Sequence, residues 1–381
     1  MSEHIERLIA ELRPKCAALG ESPWLEEAGR AVPRHLFIER FADGVNSNDP
    51  WAPVEWVTVD RMNPSAEALE AIYSDRGLMM RSPPEHSAAS QPALVVMMLH
   101  ELGLEPGMKV LEIGTGSGWN AGLIAHGVGR DDVVHSVDIQ HDLVEQARRH
   151  LTAAGHPGVN LRAGDGGEGW PEAAPFDRMI ATVGCPDIPP AWLGQLADDG
   201  VLLVPLLMRG FHAPLLRLRK RGATFTGGFR GPSGFMTLQG AHHTDAHDQL
   251  IIDDIPAGVP VASASLPEAI TYGFLVFLFS TREAFRYAVR RTEQTPFILQ
   301  HVDSGSWITF VPDDSKVEVI GRTRARDDLR EAQEAWIAYG RPSLKSFDVD
   351  VVSADQPPAG GWLDVRRSLV LRYRVRPSPQ G

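Results

Sequence analysis

With 381 residues, 43% of them apolar and 23% charged, the chain has the balance of a folded protein with a large core and is long enough for two domains. A formal net charge of −12 repels phosphate backbones, and the short basic cluster Arg217 to Arg221 has no interleaved aromatic stripe, so nucleic acid is not an expected partner. Two cysteines, Cys16 and Cys185, are too few for a disulfide framework or a thiolate metal site. Charged residues interrupt any signal-like segment near Met1, and no apolar run is long enough for a bilayer; the expected location is the cytoplasm, away from membranes.

In chain order, Ile5, Leu8, Ile9 and Leu12 fall on one helical face, and Trp24 to Arg30 form a second helix that Pro33 stops. Asp43 to Pro64 read as loop with a short strand at Val54 to Val59. From Pro92 the pattern becomes helix and strand in alternation. A helix runs from Pro92 to Gly103, strands cover Lys109 to Ile113, Val133 to Asp138, Val159 to Ala163, Met179 to Val183 and Val201 to Leu206, and helices cover Asn120 to His126, Asp142 to Ala154 and Ala191 to Leu196. That alternation predicts a doubly wound α/β sheet with helices on both faces. Pro214 to Arg219 and Thr224 to Phe229, separated by Arg221-Gly222, predict an antiparallel hairpin at its edge.

Beyond a polar, His-rich stretch from Ala241 to Asp254, Phe274 to Phe279 reads as a strand, Arg282 to Arg290 as a helix, Ser306 to Phe310 and Lys316 to Ile320 as strands, Asp327 to Tyr339 as a helix and Leu369 to Val375 as a strand. This predicts a separate α+β domain. The expected division is an N-terminal helical cap and acceptor-loop region at 1–80, a catalytic domain at 81–245 and an extension at 246–381. His242, His243, Asp245, His247 and Asp248 crowd the linker, but no second cluster has ligand spacing, so no metal is expected.

The chemistry centres on Val110-Leu111-Glu112-Ile113-Gly114-Thr115-Gly116-Ser117-Gly118, an apolar strand entering a loop with glycine at every second place. Trp119 stands where a dinucleotide fingerprint needs its third glycine, and no Gly-Lys-Ser/Thr follows, so neither pyrophosphate nor a phosphate loop fits. A ligand with adenosine and no phosphate remains. Asp138, twenty residues after Gly118, ends the second strand where a carboxylate accepts from a ribose diol, and Ile139 follows it. Asp165 and Gly166 end the third strand, with Asp165 suited to an adenine amino group or to a neighbouring backbone amide. Glu112 either orders the loop or touches the ligand. The candidate cofactor-binding set is Glu112, Gly114, Thr115, Gly116, Gly118, Asp138, Ile139, Asp165 and Gly166.

Over residues 24–240 the sequence resembles the protein-L-isoaspartate O-methyltransferase family. The stretches that carry the likeness are Ala31 to Phe37 (Ala-Val-Pro-Arg-His-Leu-Phe), Tyr73-Ser74-Asp75, Ser90-Gln91-Pro92, Val110 to Gly118, Gly164-Asp165-Gly166, Pro175-Phe176-Asp177, Ile188-Pro189, Gln195-Leu196 and Gly200 to Pro205. The resemblance implies a class I methyltransferase fold, S-adenosylmethionine as cofactor, and methyl transfer to a side-chain carboxylate of aspartate or isoaspartate in a peptide or protein. It also implies that the Ser90 hydroxyl contacts the reacting carboxylate; a helix N-cap ahead of Pro92 is the competing or concurrent role.

The family usually has Thr-Ile ahead of this serine, where Ala88-Ala89 stand here after Ser87, and the segment from Tyr73 to Pro92 is about three residues longer, with Pro83-Pro84-Glu85-His86 inserted. Ser87, His86 and Asp75 are the candidate acceptor-binding residues; an exposed loop serine, a plain loop histidine and an ordering aspartate are the alternatives. The extension, with Ala335-Trp336-Ile337-Ala338-Tyr339-Gly340-Arg341-Pro342, is similar to that of a subgroup associated with ribosomally made, modified peptides. That likeness implies esterification of an aspartate in a ring-constrained peptide, the ester collapsing to an aspartimide.

Overall fold

The computed structural model describes residues 2–43, 55–82, 85–211, 214–243, 250–255, 261–290, 297–352, 360–366 and 369–376. Helices α1 (Ser2–Leu12), α2 (Ala17–Glu21) and α3 (Trp24–Ala31) open the chain, followed by strands β1 (Arg40–Asp43) and β2 (Glu55–Thr58), α4 (Ala66–Ile72), and the strand pair β3 (Leu78–Arg81) and β4 (Ser87–Ala89). Then come α5 (Pro92–Leu102), β5 (Val110–Ile113), α6 (Trp119–Val128), β6 (Val134–Asp138), α7 (His141–Ala153), β7 (Asn160–Ala163), β8 (Phe176–Ala181), α8 (Pro190–Gln195), β9 (Leu196–Pro205), β10 (Pro214–Arg221) and β11 (Thr224–Pro232). The remainder holds β12 (Leu250–Ile252), β13 (Val261–Ser265), α9 (Tyr272–Thr281), β14 (Phe285–Arg290), β15 (Phe297–His301), β16 (Ser306–Phe310), β17 (Lys316–Ile320), α10 (Arg324–Ala338), β18 (Phe347–Val352), β19 (Trp362–Val365) and β20 (Val370–Val375).

The largest sheet has ten strands in the order β19-β20-β18-β11-β10-β9-β8-β5-β6-β7. Its parallel part is β9-β8-β5-β6-β7, and the strands beyond β9 are antiparallel. Alternate side chains on the parallel strands enter different cores, as a sheet covered on both faces requires. Val110, Ile180 and Leu203 join the core that includes α3, α5, α6 and α7, whereas Leu111, Ile113, Met179, Leu202 and Val204 join the core that includes Trp192 of α8 and Phe274 to Phe279 of α9. The chain reverses direction across the sheet at β5, which lies between β8 and β6, so the loop after β5 occupies the switch point where open α/β sheets bind ligands. A second sheet, β12-β14-β15-β16-β17-β13, is antiparallel apart from the parallel β12·β14 pair.

Two elements differ from the expectation. Phe274 to Phe279 is not a strand but the centre of α9, buried on every side, with Thr271 accepting a hydrogen bond from the Phe274 backbone at its N-terminus. Arg282 to Arg290 is not a helix; its Phe285 and Tyr287 are buried at alternate positions of β14. The last strands of the C-terminal region extend the first sheet, since β18 pairs with β11 and carries β20 and β19 with it. The boundary expected at residues 245 and 246 lies outside the described residues.

Candidate active site

The loop leaving β5 turns on three glycines in the left-handed region, Gly114, Gly116 and Gly118, with φ of 99°, 51° and 88°. A Cβ at Gly114 would come within 2.6 Å of Thr182 Oγ1, so that glycine is needed for close packing against the end of β8; a Cβ at Gly116 would meet nothing within 4 Å, which leaves open space over the middle of the loop. The Thr182 hydroxyl donates to the Gly114 carbonyl at 2.6 Å, and the Asp138 carboxylate accepts from the Gly116 N–H at 2.9 Å and from the Gln140 N–H at 3.0 Å. Burial pushes the Asp138 carboxyl above its ordinary value while these two amides pull it back. Ile139, beside it, is 41% exposed at the strand end.

Glu112 is fully buried beneath this loop. Its carboxylate accepts from Asn120 Nδ2 at 2.7 Å and from Ser136 Oγ at 2.5 Å, and Ser136 stands 2.7 Å from Thr115 Oγ1. The two hydroxyls, Ser136 and Thr115, tie the loop to the Glu112 carboxyl group. These contacts are those of the loop-ordering reading of Glu112. Burial pushes its carboxyl up to about 7. At the end of β7, Asp165 accepts from the Gly167 and Ala241 backbone amides at 2.8 and 2.7 Å, the backbone alternative of its two readings, and the Gly166 carbonyl accepts from the Trp192 indole at 2.8 Å.

Ser90 lies at the end of the strand pair β3·β4, half-buried, and its hydroxyl has no hydrogen bond among the described residues. It does not cap α5: the N-cap is Gln91, whose side chain makes no capping bond. Asp75 does that work from another segment, accepting from the Ala93 N–H at 2.9 Å and from Gln91 Nε2 at 3.2 Å. Both Asp75 carboxylate oxygens are engaged in holding the start of α5, the ordering role that stood beside acceptor binding among its readings. Ser87 is not an exposed loop serine but a buried residue of β4 opposite Arg81. His86 is half-buried, and burial pulls its pKa below the ordinary imidazole value. Pro83 and Pro84 lie outside the described residues.

Two positions that the sequence reading left without a role organise the acceptor side. Arg34, fully buried, donates to the carbonyls of Ile72, Ser74, Arg76, Ala89 and Ser90 at 2.6 to 3.4 Å, and its guanidinium lies 5.3 Å from the ring centroid of Trp119, the residue that follows Gly118. The Trp119 indole donates to the Val32 carbonyl at 3.0 Å. Ser90 is therefore two contacts away from the glycine loop. Gln140 is the other; its amide reaches the Glu85 carbonyl at 2.5 Å. The Val-Pro-Arg-His motif drew attention to Arg34, whereas nothing in the local sequence marks Gln140.

The residues fit the adenosyl donor that the resemblance implies. The loops ending β5, β6 and β7 lie side by side, the space over Gly116 is free, and Asp138 and Asp165 each retain acceptor capacity beyond their backbone bonds. Gly114, Thr115, Gly116, Gly118, Asp138 and Ile139 would flank the donor, with Asp165 and Gly166 at the next strand end. Among the described residues, no group of three His, Cys, Asp or Glu side chains is placed to hold a metal, and Thr244 to Asp248 lie outside them. No described helix is long and apolar enough to cross a membrane.

The family profile for protein-L-isoaspartate(D-aspartate) O-methyltransferase (PCMT) matches residues 22–241, more than half of the chain. A protein-L-isoaspartate O-methyltransferase of Pyrococcus horikoshii is 43% identical over 138 residues, 36% of this chain and 62% of that protein, so the chain spans about three fifths of the length of this relative. One from Syntrophotalea carbinolica is 37% identical over 189 residues, 49% of this chain and 72% of that protein. A solved structure of a protein-L-isoaspartate O-methyltransferase, 21% identical, aligns over 97% of this chain and 99% of its own with a TM-score of 0.55, which shows a common fold that takes in the C-terminal third. The profile match covers Arg34, Ser90, the glycine loop, Asp138 and Asp165 together, and the chain belongs to the protein-L-isoaspartate(D-aspartate) O-methyltransferase family of S-adenosylmethionine-dependent enzymes, on a class I methyltransferase fold.

Proposed function

We propose that the chain is a carboxyl O-methyltransferase that uses S-adenosylmethionine to esterify an aspartyl or isoaspartyl side chain of a peptide or protein. The observation that carries this reading is the linkage of the half-buried Ser90 to the glycine loop through Arg34 and Trp119. When bound, the donor supplies an electrophilic methyl on a sulfonium sulfur and leaves as a neutral thioether. The acceptor carboxylate is ionised at neutral pH, so no general base is needed and alignment is the main task. Ser90 donates its hydroxyl hydrogen to one carboxylate oxygen and holds the other free to take the methyl group. Arg34 fixes the backbone carbonyl of Ser90, and Asp75 fixes the helix that follows it.

Within that class, the acceptor is an aspartate of a macrocyclic, ribosomally derived peptide. The longer segment before Ser90, the Ala88-Ala89 pair in place of the family's Thr-Ile, and the likeness of Ala335 to Pro342 to the peptide-modifying subgroup support this narrower reading. In such a ring the next backbone nitrogen attacks the ester carbonyl, the methoxy group departs with the amide proton as methanol, and an aspartimide remains.

The experiment offers the full-length protein a linear isoaspartyl peptide and a cyclised aspartyl precursor with labelled donor. Transfer to the cyclised peptide, followed by loss of methanol, is the expected result, with Ser90→Ala slower by about 100-fold. Preference for the linear isoaspartyl peptide would replace the narrower reading with repair of damaged proteins. Absence of S-adenosylhomocysteine binding would overturn the enzymatic reading altogether and leave a non-catalytic scaffold.

A further inference from the structure

Besides the Arg34 link, the Asp138 end of the donor cradle and the acceptor segment meet at the side chain of Gln140, which reaches Glu85 across 55 residues of chain. It sits at the N-cap of α7, a place where polar side chains usually bond their own helix, yet it makes no such bond. Its Nε2 instead donates to the carbonyls of Glu85 and His86 at 2.5 and 3.4 Å, and its Oε1 accepts from Arg81 Nη1 at 3.2 Å. Arg81 is held from its other side by Asp142, 2.6 Å away, and its backbone pairs with Ser87. The Gln140 N–H meanwhile donates to Asp138, the carboxylate that also holds Gly116. One residue therefore grips the donor side by its backbone and the acceptor side by both ends of its side-chain amide.

We propose that Gln140 is a positioning residue that sets the register of Glu85 to Ser90 against the donor cradle, so that the acceptor carboxylate is presented to a donor held at Asp138. This rests on the carboxyl methyltransferase reading. The role needs a donor and an acceptor on one planar group, which asparagine cannot extend far enough to supply and glutamate cannot supply at all, because a carboxylate has no hydrogen for the Glu85 and His86 carbonyls. It follows that Gln140→Glu, close to isosteric and still able to accept from Arg81, separates positioning from mere filling of space.

The test measures three things on full-length wild type, Gln140→Ala and Gln140→Glu: affinity for S-adenosylhomocysteine by calorimetry, KM and kcat for the methylated peptide, and backbone hydrogen exchange. Both variants are expected to keep the donor affinity within about twofold and to raise the acceptor KM by about fivefold or more, as loss of a hydrogen bond at a positioning contact implies. Exchange is expected to quicken at Ser87 to Ser90 and to stay unchanged in β5 and β6. Unchanged exchange at Ser87 to Ser90, an unchanged KM, or a loss of donor affinity as large as the KM change would each overturn the proposal. Failure of the broader reading registers separately, as a wild-type protein that binds no S-adenosylhomocysteine or methylates neither peptide; the exchange comparison then still decides the role of Gln140.

Discussion

Glu112 is a carboxylate placed where water does not reach, and its energetics follow from that. Asn120 and Ser136 stabilise its charged form, but burial outweighs them and its carboxyl is pushed up to about 7. The native state therefore holds a proton on Glu112 across the interval from about pH 4.5 to about 7, in which the unfolded chain has already released it. Since the folded form binds more protons there, this group contributes a stability that declines as pH rises through the interval and is at its lowest above about 7. Glutamine in its place would keep the shape and remain neutral. Melting of wild type and Glu112→Gln at pH 5 and pH 8 should show the variant gaining on the wild type at the higher pH, by about 1 to 3 kcal/mol. A difference that does not change between the two pH values would show that Glu112 titrates like an exposed carboxylate. The same replacement leaves Thr115 and Ser136 in place, so it tests the proton and not the loop.

Helix α5 shows how an element borrows its ends from distant parts of the chain. Pro92 supplies the first turn and Gly103, at φ 65°, the last, both readable in sequence, yet the cap is the carboxylate of Asp75, a residue 18 positions upstream of the Ala93 amide it accepts from. Asp75→Ala should destabilise the fold by about 1 to 2 kcal/mol and Asp75→Asn should recover most of that, since an amide oxygen still accepts from Ala93. Acceptor turnover that falls equally in the Asn variant would show that Asp75 serves the substrate as well as the helix. The alternating strands and helices from Val110 to Val204 were legible because their apolar periods differ and glycines punctuate them. Phe274 to Phe279 was not, because six consecutive apolar residues fit a buried strand and a buried helix equally; only the Thr271 cap and the hydroxyl bonds of Ser280 and Thr281 back to Val276 and Phe277 distinguish the helix. The glycine loop and Asp138 were legible as local pattern. The roles of Arg34 and Gln140 were not, since each acts on backbone dozens of residues away in sequence and long-range partners leave no periodic trace; for Asp75 an ordering role was legible but its target, the Ala93 amide, was not.

At the scale of the whole molecule the last three strands of the C-terminal region, β18 to β20, are part of the catalytic sheet. Phe229 of β11 packs on Phe347 and Tyr373 with ring centroids 6.2 and 6.0 Å apart, and Phe211, in the connection between β9 and β10, stacks on Phe279 of α9 at 5.2 Å. Removal of residues 246–381 would strip the edge of β11 and bare these rings, so the truncated chain is expected to aggregate, and a point substitution is the better probe of the union. Arg366 is that point. It is buried, donates two hydrogen bonds to Asp364 and one each, at 2.8 Å, to the carbonyls of Pro186 and Leu207, which belong to the connections after β8 and β9. Asp364 is 3% exposed and also accepts from the Tyr373 hydroxyl at 3.0 Å. Arg366→Met preserves the apolar length of the side chain but takes the guanidinium away from a buried carboxylate and the donors away from two carbonyls, a loss of about 3 to 5 kcal/mol. The denaturant midpoint should fall accordingly. Because β18 to β20 and β5 to β9 share one hydrogen-bonded sheet, tryptophan emission and far-ultraviolet circular dichroism should still report one coincident transition. Two separated transitions, with only the later residues destabilised, would show that the extension folds as an independent unit and that the shared sheet does not couple the two parts.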